Sequence, residues 1–142
     1  MGNTLMIPRN INFEDIQLAI NEQNKYKPCI IINTLEPHNQ DCLIAGTINI
    51  QAEVEMINTL LTKDKNTCII IYGANSTDTT TLKKYEQLIK LGFYNVHIYS
   101  GGMFEWLLLQ DIYGNELFPT TSKKLDILKY KGRRFMNMKM LE

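Results

Sequence analysis

Few side chains in this chain could attack, ligate a metal or shuttle a proton, and the place best suited to hold one holds a glycine. Cys68-Ile69-Ile70-Ile71-Tyr72 reads as a buried strand. Gly73-Ala74-Asn75-Ser76-Thr77-Asp78 follows as a short polar loop, and a helix begins at Thr79. At such a junction backbone N–H groups converge, and the helix dipole favours an anion or a thiolate. A cysteine at the start of the loop would be an activated nucleophile. Gly73 has no side chain to attack with, so the architecture expects a reaction and lacks the reacting group.

The sulfur lies elsewhere. Cys68 sits at the far end of its strand, about 16 Å from the loop for a strand of this length, and reads as a buried, inert thiol. Cys29 opens another apolar strand and reads as core. Cys42, in a connector near the sheet's functional edge, is the candidate for a reactive thiol. With three cysteines, no CxxC spacing and no histidine ladder, neither a zinc site nor a disulfide framework is indicated. No metal and no cofactor are expected. His38 and His97 lie far apart, and His97, inside an apolar strand, reads as structural. The hydroxyl run Ser76-Thr77-Asp78-Thr79-Thr80-Thr81 invites a serine nucleophile or a phosphate cradle, but no base lies nearby in sequence. It reads as N-capping of the helix that follows. Neither the G-x-x-x-x-G-K-[ST] nor the G-x-G-x-x-G pattern is present.

These residues must be positioned by alternating strands and helices. Leu5-Met6-Ile7 reads as a short strand closed by Pro8. Asn12 caps a helix with Phe13, Ile16, Leu18 and Ile20 on its apolar face. Cys29 to Ile32 is a continuous apolar strand, the form expected when both faces are covered. Thr47 to Ile50 reads as a further short strand, and Gln51 to Leu61 as a helix with Val54, Ile57, Leu60 and Leu61 inward. After the Cys68–Tyr72 strand, Thr79 to Leu91 is a helix with Leu82, Tyr85, Leu88 and Ile89 on one face, ended by Gly92. Val96 to Tyr99 is a strand. Gly101-Gly102 turns into the helix Met103 to Asp111, which is apolar nearly all round and therefore expected to be buried on both sides. The alternation predicts an α/β fold: an open, mostly parallel sheet with helices on both faces.

Residues 115–142 differ in character and are read as a basic C-terminal extension to a domain spanning residues 1–114. Ser122 is placed to cap a short helix striped by Leu125, Leu128 and Tyr130. Lys123, Lys124, Lys129, Lys131, Arg133, Arg134 and Lys139 outnumber Asp126 and Glu142. Over the whole chain 15 basic residues balance 15 acidic ones, so global charge points to neither nucleic acid nor membrane. A 44% hydrophobic, 21% charged chain of 142 residues is that of one globular domain. No apolar run approaches the roughly 20 residues of a membrane span, and the N-terminus lacks the pattern of a signal peptide. A cytoplasmic location is expected.

Two elements together resemble the closing signature of rhodanese-like domains. They are Leu91-Gly92-Phe93-Tyr94-Asn95-Val96 and, after the strand, Gly101-Gly102-Met103-Phe104-Glu105-Trp106. Ile44-Ala45-Gly46-Thr47-Ile48-Asn49-Ile50 and Ile31-Ile32-Asn33-Thr34-Leu35-Glu36 are similar to two earlier family segments, and Cys68 to Asp78 falls on the family's strand and active-site loop. The resemblance runs from about Ile11 to Tyr113. It implies a persulfide-carrying loop cysteine, held in a cup of backbone amides and basic side chains that bind thiosulfate or a similar anion. This sequence departs from the pattern at the positions that carry that chemistry. Gly73 stands for the cysteine, and Asp78 stands about where an arginine often closes the loop. Asn33 and Leu35 replace an aspartate and an arginine at the strand end, and Leu43 replaces a histidine.

The leading expectation is a catalytically inactive rhodanese-like module that binds a protein partner through the old active-site edge or the extension. Self-association is a further possibility. The alternative is a working sulfurtransferase, or a phosphate-directed hydrolase, with a relocated residue such as Cys42.

Overall fold

The computed structural model describes residues 8–23 and 27–136. Four strands, β1 (Arg9–Ile11), β2 (Ile30–Asn33), β3 (Ile69–Tyr72) and β4 (Val96–Tyr99), form one parallel sheet in the order β1-β4-β3-β2. Four helices complete the frame: α1 (Phe13–Asn21), α2 (Ile50–Lys63), α3 (Thr80–Lys90) and α4 (Gly102–Tyr113). Parallel pairing needs a crossover between successive strands, and α2 and α3 supply those joining β2 to β3 and β3 to β4.

The isoleucine-rich central strands make sense once both faces are covered. On one face Ile31, Ile70, Tyr72 and Tyr99 pack with Ile16 and Ala19 of α1 and with Met103, Trp106 and Leu107 of α4. On the other, Ile32, Ile69, Ile71, Val96 and Ile98 pack with Ile57 of α2 and with Tyr85 and Leu88 of α3. Period-two alternation within each strand feeds both layers. The sheet is thus sandwiched as the sequence predicts.

Several local expectations need correction. Leu5–Ile7 lies outside the described residues, and β1 comes after Pro8, not before it. Thr47–Ile50 is no strand. Thr47 makes an isolated bridge to Ile31, while Asn49 caps α2 by accepting from Gln51 N, so Ile50 is already helical. Leu18, Val54 and Leu82, assigned to inward faces, are exposed. α4 is not buried all round: Leu108, Ile112 and Tyr113 face outward. Asn12 caps α1 as expected, in a full capping box with Asp15.

The segment after Gly114 packs onto the α1–α4 face. Phe118 is buried against Phe13 and Trp106, and the indole Nε1 of Trp106 donates to Pro119 O. Thr120 bridges antiparallel to Ile44. A 3-10 turn at Ile127–Tyr130 buries Tyr130 yet leaves Leu125 and Leu128 exposed, so the expected apolar stripe reduces to Tyr130 with half-buried Ile127. Ser122 caps nothing; its hydroxyl donates to Asp41 O.

Candidate functional site

The loop from Gly73 to Asp78 leaves the carboxyl end of β3, where open parallel sheets gather their ligands. Its fit against α4 explains the paired glycines. Gly73 O and Ala74 O accept from Met103 N (2.9 Å) and Phe104 N (2.8 Å), so the first amides of α4 are satisfied by the loop itself. Gly102 has φ +66°, and a Cβ there would lie 2.7 Å from Gly73 O. Only glycine suits both the conformation and the approach.

Asp78 decides the chemistry of the loop. One carboxylate oxygen, Oδ2, accepts from Ala74 N at 2.9 Å; the other, Oδ1, accepts from Thr80 N at 3.0 Å and from the Thr80 hydroxyl. The expected capping is therefore present, and Asp78 performs it, whereas Thr79 makes no side-chain cap. The same carboxylate fills the space in front of Gly73: a Cβ there would lie 2.5 Å from Asp78 Oδ2 and 3.0 Å from Thr34 Oγ1. A loop amide that would face a bound anion already faces a built-in one. Asn75 pins the rest of the turn, its Oδ1 accepting from Thr77 N and its Nδ2 donating to Tyr130 O. Ser76 stands exposed.

The remaining predicted positions divide between this edge and the core. Asn33 is buried, its Oδ1 accepting from Leu35 N and from Gln40 Nε2. It organises the turn after β2 and points no charge at the loop. Leu35 is buried and lines the cavity beside Thr34. Leu43 exchanges backbone and hydroxyl hydrogen bonds with Thr121. Cys42 is fully buried, its thiol donating to Ser122 O at 3.4 Å, and it is not among the residues lining the loop cavity. Next to it, Tyr72 Oη accepts from Ile44 N and shares a 2.8 Å hydrogen bond with Thr47, and burial pushes this phenol well above its ordinary range. His97 pairs with Asn95 Oδ1 through Nε2, while its buried Nδ1 has no partner among the described residues; burial lowers its pKa. No cluster of three or more metal-ligating side chains occurs among the described residues.

The cavity at this edge measures about 790 Å³. Thr34, Leu35, Asn39, Ala74, Asn75 and Asp78 line it, together with Lys129, Arg133, Arg134 and Phe135 from the C-terminal extension. The sequence assigns these basic residues to the C-terminal extension, and their place beside the loop was missed. The only signal was their number, since nothing local says that Tyr130 is anchored beside the loop. Asn39 is buried, and its Oδ1 has no partner among the described residues. A second feature was missed as well: Cys29 and Cys68 are neighbours across β2 and β3 at the opposite end of the sheet, packed against the same layer.

Comparison with known proteins adds the lineage. The family model described as rhodanese-like domain matches residues 14–109. Among solved structures, the BH2092 protein of Bacillus halodurans aligns with TM-score 0.57 at 20% identity, covering 92% of this chain and 86% of that one. The rhodanese-like domain of the Alr3790 protein from Anabaena aligns with TM-score 0.55 at 21% identity, over 94% and 92%. The single-domain sulfurtransferase RDL2 of Saccharomyces cerevisiae gives 0.55 at 22%, over 82% and 99%. At these identities the likeness establishes the fold. Comparison with curated proteins finds no match.

Proposed function

The chain belongs to the rhodanese-like domain family, and we propose that it is a member that binds a protein partner and does not transfer sulfur. The observation that carries this reading is the Asp78 carboxylate, which holds the Ala74 amide and occupies the space in front of Gly73. A sulfurtransferase loop needs a thiolate in an electropositive cup. Here the thiol is missing, and the cup contains a negative charge of the chain's own. Either change alone would impair the chemistry; together they oppose both the nucleophile and its anionic donor.

What remains is a recess with a basic, partly apolar wall. Lys129, Arg133, Arg134 and Phe135 are exposed along it. Electrostatic complementarity favours an acidic segment of a partner protein, with Phe135 as an apolar anchor. Asn39 Oδ1, without a partner among the described residues, offers a buried acceptor. Three unpaired thiols suit a reducing compartment such as the cytoplasm.

The test is thiosulfate-to-cyanide sulfur transfer. The wild type is expected to be silent. Gly73→Cys alone gains little, because its Cβ meets Asp78. Gly73→Cys combined with Asp78→Ala frees both the space and the amide, and should turn over measurably. Wild-type turnover abolished by Cys42→Ser would overturn the proposal in favour of a relocated active site.

A further inference from the structure

At the amino ends of β2 and β3, Cys29 and Cys68 stand side by side. Ile30 pairs with Ile69 in parallel register, and Ile30 N donates to Cys68 O at 2.8 Å, which makes the two cysteines the preceding neighbours across the strands. Both pack against the α1–α4 layer, as do Ile31 and Ile70 two residues on, so the thiols project from the same face. Both are half-buried, unlike fully buried Cys42. Neighbouring strands run about 4.8 Å apart, inside the Cα separation of about 4.4–6.8 Å that a disulfide spans.

We propose that Cys29 and Cys68 form a reversible disulfide site that reacts with low-molecular-weight disulfides. The inference does not depend on whether the loop edge is catalytically silent. The surroundings support it. The neighbouring Cys68 thiol lowers Cys29 to about 7, which favours Cys29 as the attacking sulfur. Cys68 is shifted upward by the neighbouring Cys29 and by burial, and Arg9, on the edge strand, partly offsets this. Arg9 and His97 are register partners on β1 and β4, and Asp15 of α1 acts on His97.

The steps balance. The Cys29 thiolate attacks one sulfur of RS–SR; a Cys29–SR bond forms, the S–S bond breaks, and RS⁻ leaves to take up a proton. Cys68, losing its proton to solvent, then attacks Cys29 Sγ. The Cys29–Cys68 bond forms and a second RS⁻ leaves. The dithiol gives up two electrons, and RS–SR becomes two RSH.

The reduced full-length protein is incubated with glutathione disulfide, blocked with an alkylating agent, and digested without reduction. Two of the three thiols should be lost together, recovered as one Cys29–Cys68 linked peptide, with Cys42 free. Cys68→Ser should stop at a glutathione mixed disulfide on Cys29, and Cys42→Ser should oxidise as the wild type does. The proposal falls if wild-type Cys29 and Cys68 stay free under conditions that oxidise a short dithiol peptide. It also falls if the wild type accumulates the mixed disulfide on Cys29 without the internal link.

Discussion

The carboxyl and amino ends of this sheet divide between them what an active rhodanese-like site keeps together. At the carboxyl end the loop, the helix starts and the Gly101-Gly102 turn are all in place, and the cavity lining contains no sulfur. At the amino end two cysteines stand side by side on neighbouring strands, away from that loop. The difference teaches that scaffold and reagent are separable. The close packing of the loop against α4 preserves the turn for reasons of fold, whether or not a nucleophile sits in it. Thiol pairing, by contrast, arises from register alone.

The comparison can be broken at the loop end first, where the largest effect is expected. Gly102→Ala puts a methyl group against Gly73 O at a positive φ, so it should cost about 2–3 kcal/mol in urea denaturation. A neutral result would mean that the loop does not depend on this approach, and the scaffold half of the comparison would fail.

The thiol end sharpens the contrast with a smaller effect. Cys29 alkylation by iodoacetamide should rise as pH increases through about 7 and level off above it, since the thiolate is the reactive form and its pKa is lowered. Cys68→Ser returns that thiol toward its ordinary value. At pH 7 the smaller thiolate fraction outweighs the stronger nucleophile, and the rate should fall about fivefold. An unchanged rate profile would show that Cys68 does not tune Cys29.

Much of the fold was legible because it rests on burial. Strands such as Ile69–Tyr72, covered on both faces, leave an unbroken apolar run, and Asn12 and Gly92 mark helix ends by their own chemistry. Exposure of Leu18, Val54 and Leu82 was not legible, because a helical stripe of this width does not say which members reach the sheet. At the site, the glycine at the start of the loop after β3 could be read directly. The turn of Asp78 back onto Ala74 N could not, since it depends on a loop conformation shared with Gly102. The Cys29–Cys68 pair was hidden for the same kind of reason: the residues are separated by a whole crossover, and only the Ile30–Ile69 register brings them together.

The central claim is that Asp78 takes the place of an anion in the loop, and the Ala74 amide reports on it directly. Its resonance should be followed by NMR while thiosulfate is added to the wild type and to Asp78→Ala. The account predicts no saturable shift in the wild type and a saturable one in the variant, where the amide is released. A saturable shift of Ala74 in the wild type would contradict it, because the cradle would then be open to a donor.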